Sequence, residues 1–254
     1  METSSIEEIK YILNRCGGRF NYNLMSYFYL TKNIQAYNII KEKSKYLMID
    51  SGAHSFQKGK KVDWKNYTIS YANWIRKNDC SKILGFFEMD IDPGGYPYEL
   101  VKELRAILCN SSDKIIPVWH KNRGIDDFYD MCNNPIHKDR IIAVTGFKNQ
   151  DIRDEDYIKY VNYAHSKGCK VHCLGMTRTK IMDKIPFDYV DSSSWKMHSI
   201  FGKYGKTKLP KHIKIRGSKR TEIMCKSYLE AIKMQEHYYL KWDKYLKQLY
   251  KECE

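Results

Sequence analysis

The chain has 254 residues and carries 44 Lys and Arg against 30 Asp and Glu, a net charge of +14 that suits a polyanionic partner. No apolar run approaches the ~20 residues of a membrane span, and the opening Met1-Glu-Thr-Ser-Ser lacks the order of a signal peptide. Both point to a soluble cytoplasmic protein. The eight cysteines are dispersed with no Cys-x-x-Cys pair, which predicts reduced thiols rather than a disulfide framework.

In chain order, short β-rich runs alternate with amphipathic helical runs, the pattern of βαβ units and a parallel sheet. The sequence predicts strands over 25–30, 46–50, 83–90, 114–119, 141–146, 170–175 and 187–191, with a weaker one near 212–216. A helix over 64–77, entered from Asp63, repeats Trp64, Tyr67, Tyr71, Trp74 and Ile75 at helical spacing. A second covers 97–109 and places Leu100, Leu104, Ile107 and Leu108 on one face. A third, over 155–167, stops at Gly168. A long final helix, about 221–250, is rich in Lys and Tyr. With no internal repeat or linker, residues 1–254 read as one domain of α/β class. Length and unit count together predict a single (β/α)8 TIM-type barrel with a long C-terminal helix.

Three of the apolar runs close on aspartate: Tyr46-Leu-Met-Ile-Asp50, Ile83-Leu-Gly-Phe-Phe-Glu-Met-Asp90 and Phe187-Asp-Tyr-Val-Asp191. Each opens at once into small or turn-forming residues. A carboxylate at the carboxyl end of a strand is where an α/β barrel keeps its chemistry, although any one of the three could instead cap a helix. Cys169, His172 and Cys173 lie close together, but alternation along a strand separates their faces, and no metal site is expected. Between Ser192 and Thr221 there is no acidic residue; Lys196, Lys203, Lys206, Lys208, Lys211 and Arg216 are interleaved with Trp195, His198, Phe201 and Tyr204. Cations for phosphates and rings for stacking are what nucleic-acid binding needs. The alternative is a solvated basic loop.

Asp50-Ser51-Gly52-Ala53-His54-Ser55-Phe56, Asp90, Pro117-Val-Trp-His120, Val144-Thr-Gly146-Phe147, His172-Cys-Leu174-Gly-Met-Thr177 and Asp188-Tyr-Val-Asp191 form an ordered series. From about residue 46 to 206 it resembles the tRNA-guanine transglycosylase superfamily, and most of all its compact phage-type branch, which exchanges guanine in DNA for a 7-deazaguanine. The resemblance implies that Asp191 is the nucleophile, forming a covalent glycosyl-aspartate intermediate at C1′ of the target guanosine. Asp50 would be the general acid/base. Asp90 would read the guanine edge, His120 the base carbonyl region, and Gly146 would offer a backbone N–H. Leu174 and His54 would sandwich the purine, with Ser51 beside them.

The chain departs from tRNA-acting members in having no Cys-x-Cys-x-x-Cys…His zinc site after Asp191 and Ser-Ser-Ser-Trp in place of Leu-Pro-Thr-Arg. It also shows no appended RNA-binding domain. These departures favour DNA over tRNA as the polymer. The expected partners are therefore DNA, with tRNA the alternative, and a free 7-deazaguanine (preQ0-like) or guanine base. No cofactor or metal is implied, nor any membrane, and a homodimer is left open. If the chain is phage-encoded, its compartment is the cytoplasm of a bacterial host. A base hydrolase, or a non-catalytic nucleic-acid-binding barrel, are the competing readings.

Overall fold

A computed structural model describes residues 5–16, 21–56, 62–145, 152–196, 203–204, 207–208 and 218–252. The apolar runs form short strands: β1 Tyr22–Ser26, β2 Tyr46–Asp50, β3 Ile83–Phe87, β4 Ile115–Ile116, β5 Val118–Trp119, β6 Ile141–Thr145, β7 Lys170–Leu174 and β8 Tyr189–Val190. All pair in parallel, in two four-stranded sheets ordered β1-β2-β3-β4 and β5-β6-β7-β8. Strands this short and apolar are stable in parallel because helices cover their outer face.

Pro117 divides β4 from β5, since a proline has no N–H to give a ladder. The segment nevertheless bonds both sheets. Glu88 N–H donates to the Ile116 carbonyl at 3.0 Å on one side, and Ala143 N–H donates to the Pro117 carbonyl at 2.9 Å on the other. One buried cluster also draws on every strand of both sheets, through Leu24, Met48, Leu84, Phe87, Ile116, Val118, Ile141, Ala143, Leu174 and Tyr189. Packing there leaves no room for a larger residue at position 85: a Cβ on Gly85 would lie 2.4 Å from Ile116 Cδ1.

The helices are α1 Ile6–Arg15, α2 Tyr27–Leu30, α3 Ile34–Lys43, α4 Trp64–Asn78, α5 Tyr98–Cys109, α6 Ile125–Asn133, α7 Tyr157–Ser166, α8 Thr179–Met182 and a C-terminal helix, Ser218–Glu252. Ser5 and Glu8 close a capping box at the start of α1, and Asp63 caps α4 as its sequence predicts. Gly168, at φ +68°, follows the end of α7. α1, α3, α4 and α5 pack on the first sheet, α6, α7 and α8 on the second.

The C-terminal helix ties these parts together. Tyr228 Oη bonds Asn21 Oδ1 at 2.6 Å and Asn23 Oδ1 at 2.8 Å, and Trp242 Nε1 donates to the Met182 carbonyl at 3.0 Å. Tyr250 Oη donates to Asp188 Oδ1 at 2.6 Å. Among the described residues, no helix is long and apolar enough to cross a membrane.

Several strand boundaries differ from expectation: β3 stops at Phe87 rather than 90, β8 covers only Tyr189–Val190 of 187–191, and the first strand is displaced. The strand expected over 25–30 occupies Tyr22–Ser26, and Tyr27–Leu30 turns into α2. Tyr27 packs its ring against Tyr67, Tyr71 and Trp74, which a continued strand would not allow. The strand expected near 212–216 lies outside the described residues.

Candidate active site

The carboxyl ends of the strands carry the acids. Asp50 ends β2, and the next turn is possible because Gly52 takes φ +80°, where an added Cβ would also meet Phe28 Cβ at 2.5 Å. That turn brings the Gly52 N–H to Asp50 Oδ2 at 2.9 Å. Burial of the carboxyl group pushes Asp50 up to about 7. The charges of Asp90 and Asp191 add to the rise, against the Gly52 amide and a hydrogen bond from the Ser26 hydroxyl. Asp90 and Asp191 are therefore near enough for their charges to act on Asp50. Behind it, Tyr67 Oη donates to the Ser51 carbonyl at 2.8 Å and Tyr71 Oη to the Ile49 carbonyl at 3.1 Å, fixing the strand end.

Asp90 is paired with His120, Nε2 to Oδ1 at 2.8 Å, and both are largely enclosed. Asp92 and His120 offer atoms within 4.8 Å of Asp90, a spacing a cation could bridge. The donor atoms are already engaged, however. Arg123 takes both Asp92 oxygens, Nε at 2.7 Å and Nη2 at 2.5 Å, while Asp90 Oδ1 is bonded to the imidazole.

Asp191 follows β8. Its Oδ1 accepts from Gly175 N–H at 3.0 Å and faces His172 Nε2 at 3.0 Å. The Asp191 side chain keeps 24% of its surface open, against 2% for His172. Among the described residues, Asp50, Asp90 and Asp191 form no ion pair with Lys or Arg; their neighbours are amides, a hydroxyl, two imidazoles and one another.

The other expected site residues are placed as follows. Leu174 is half-buried at the end of β7 against the inter-sheet cluster. His54 is exposed on the turn Ala53–Phe56. Ser51 is fully buried, and its hydroxyl accepts from Ala53 N–H at 3.5 Å. Lys196 is half-buried just beyond Asp191. Lys203 and Lys208 belong to two-residue strands, β9 Lys203–Tyr204 and β10 Thr207–Lys208, paired antiparallel. Gly146, Lys206, Lys211 and Arg216 lie outside the described residues. A cleft of about 2150 Å³ between the C-terminal helix and the edges of β1 and β8 is bordered by Asp191 and Lys196, but not by Asp50, Asp90 or His120.

Sequence reasoning missed the support beneath Asp90. Glu88 is fully buried and bonds Arg105, Nε to Oε2 at 2.5 Å and Nη2 to Oε1 at 3.1 Å. Its Oε1 also accepts the Val118 N–H at 2.8 Å, the amide left over beside Pro117. The signal was present: an acid inside Phe86-Phe87-Glu88-Met89 must find a cation if that run is buried. No protein family, curated protein or solved structure matches this chain.

Proposed function

We propose that the chain is a DNA base-exchange transglycosylase that replaces guanine with a 7-deazaguanine of the preQ0 type. The two sheets, joined through 115–119 and sharing one interior, are read as a single (β/α)8-type barrel whose carboxyl end is the active site. The observation that carries this reading is the grouping of three carboxyl groups, with Asp50 held near 7 by burial and by the charges of Asp90 and Asp191. Glycosyl transfer through a covalent intermediate asks for that division of labour, one carboxyl group able to hold a proton beside one ionised and nucleophilic.

In the first half-reaction an Asp191 oxygen bonds to C1′ as the C1′–N9 bond breaks. The bond's electron pair leaves with guanine, which takes its proton from Asp50. In the second half, Asp50 removes the proton from the incoming deazaguanine, its N9 bonds to C1′, and Asp191 leaves as a carboxylate. Asp90, steadied by His120 at 2.8 Å, is positioned to accept from the N1–H and exocyclic amine of a guanine-like base. The basic stretch after Asp191 would hold the backbone, and a duplex target would have to be flipped at a cost of about a few kcal/mol.

The test is nucleoside mass spectrometry of DNA and of tRNA, each incubated with the protein and a panel of 7-deazaguanines. Incorporation into DNA is expected. Incorporation into tRNA alone would replace the polymer, abasic sites in place of exchange would make the protein a hydrolase, and neither product from any substrate would end the catalytic reading.

A further inference from the structure

Both hydrogen bonds to Asp191 fall on the same oxygen. Gly175 N–H and His172 Nε2 each lie 3.0 Å from Oδ1. Oδ2 has no hydrogen-bond partner among the described residues. His172 itself is rigidly seated. It is 2% exposed, the Phe87 ring meets it edge-on at 4.9 Å, and the Tyr189 ring stacks at 6.3 Å with an 18° tilt. Its Nδ1 is buried with no hydrogen-bond partner among the described residues. Among the described residues the ring's polar contact is therefore through Nε2, and with a proton there it donates to Asp191.

Resting on the transglycosylase reading, we propose that His172 and the Gly175 amide form a two-donor clamp on Asp191 Oδ1 that leaves Oδ2 as the atom bonding to C1′, with His172 a positioning residue for the nucleophile. A carboxylate swings about its Cβ–Cγ bond, and a free one would offer either oxygen in many directions. Two donors on one oxygen fix the plane of the group and turn the other lone pairs outward. The same donors face the ester carbonyl oxygen once Oδ2 has bonded to C1′. There they stabilise the charge that returns to the carboxylate when the incoming base displaces it. The clamp thus serves both half-reactions without itself exchanging a proton.

The experiment compares His172→Phe with His172→Gln. Phe keeps a ring between Phe87 and Tyr189 but donates nothing; Gln restores an N–H donor and gives up the ring. Covalent protein–DNA adduct formation and base exchange are followed in single turnover, and DNA affinity separately. A positioning donor predicts that Phe slows both half-reactions by about 10²-fold, that Gln recovers much of the loss, and that DNA affinity stays within about twofold in both. A purely packing role predicts the reverse order, and Phe equalling or exceeding Gln would overturn the proposal.

Imidazole ¹H–¹⁵N spectra give a readout that needs no turnover and no substituted His172. A hydrogen-bonded Nε2–H resonance is expected in the unaltered protein and should shift on Asp191→Ala; its absence would overturn the clamp. If the resonance is present while the unaltered protein exchanges no base in any nucleic acid, the transglycosylase reading fails and takes the proposal with it. Exchange with the order Phe above Gln defeats the proposal alone.

Discussion

Asp188 and Asp191 stand three residues apart, at opposite ends of β8, and each faces a buried histidine and a backbone N–H. Asp188 is engaged at both oxygens. Val171 N–H reaches Oδ2 at 2.7 Å, His165 Nε2 lies 3.0 Å from the same oxygen, and Tyr250 Oη covers Oδ1 at 2.6 Å. Among the described residues Asp191 has its two neighbours on one oxygen and none on the other, and its side chain is 24% exposed where that of Asp188 is 6%. A carboxylate with both oxygens engaged is a structural joint. One that is oriented but left half-engaged, at the open end of the strands, is what the proposed function uses as a nucleophile. Residue type and spacing cannot separate the two; completeness of hydrogen bonding does.

The sharpest test of that distinction exchanges the two losses. Asp191→Ala is expected to lower base exchange by about 10⁴-fold or more, measured by label exchange between free guanine and DNA, while thermal stability and DNA affinity hold. Normal turnover by that variant would dissolve the comparison. Asp50→Asn should cost about 10²- to 10⁴-fold in the same assay, since it removes the proton carrier but not the nucleophile. It also carries a stability signature. Asp50 titrates near 3.8 when exposed and at about 7 in the fold, so the folded state holds the extra proton between those values. Its contribution to stability is full below pH 3.8 and is lost as pH rises through about 7. Denaturant melts across that window should show stability falling in the unaltered protein and a flatter profile in Asp50→Asn; identical profiles would remove Asp50 from the acid/base role.

Asp188→Ala inverts the pattern. It strands a fully buried imidazole, an amide and a phenol, and should cost about 3 kcal/mol of stability while the folded fraction, assayed in the cold, exchanges base normally. Smaller again is the effect that assigns the nucleic acid to the basic stretch following Asp191 in the sequence. Neutralising Lys206, Lys208 and Lys211 together should reduce the salt slope of DNA binding by about 2 to 3. Neutralising Lys167 and Lys170, near Asp188, should leave it unchanged. An effect from the second pair equal to the first would remove the basic stretch as the particular site of phosphate contact.

The strand ends were legible because an acid closing an apolar run is visible without tertiary information, and Asp50, Asp90 and Asp191 were each marked that way. The partners were not. His172 sits in a β7 run whose alternation says only that it faces away from Cys173, and nothing local says that β8 brings an aspartate beside it. Tyr22-Asn-Leu-Met-Ser26 reads poorly as a strand because Asn23 is polar, yet Asn23 is used to bond Ser44 and Tyr228. Tyr27–Leu30 reads well by propensity and is helical, because ring packing overrides it. Glu88 was readable as a buried acid, but its cation, Arg105, lies seventeen residues away on α5.

The smallest expected effect concerns the joint. Burial and the Asp188 charge hold Tyr250 well above the usual phenol range, so it stays a donor and covers Asp188 Oδ1 from the C-terminal helix. Tyr250→Phe removes that donor and keeps the ring against His165, at 5.8 Å. A hydrogen bond to a charged group contributes about 1.5 kcal/mol, so the melting temperature should fall by about 3 to 6 °C in a chain of this size. Because Tyr250 and Asp188 share one bond, the double variant Asp188→Ala/Tyr250→Phe should lose less than the sum of the two. Additive losses would mean that the phenol acts elsewhere, for instance through its 3.4 Å contact with the Cys169 carbonyl. No loss at all would leave the helix held by Tyr228 and Trp242 and strip Asp188 of one of its three donors, weakening its contrast with Asp191.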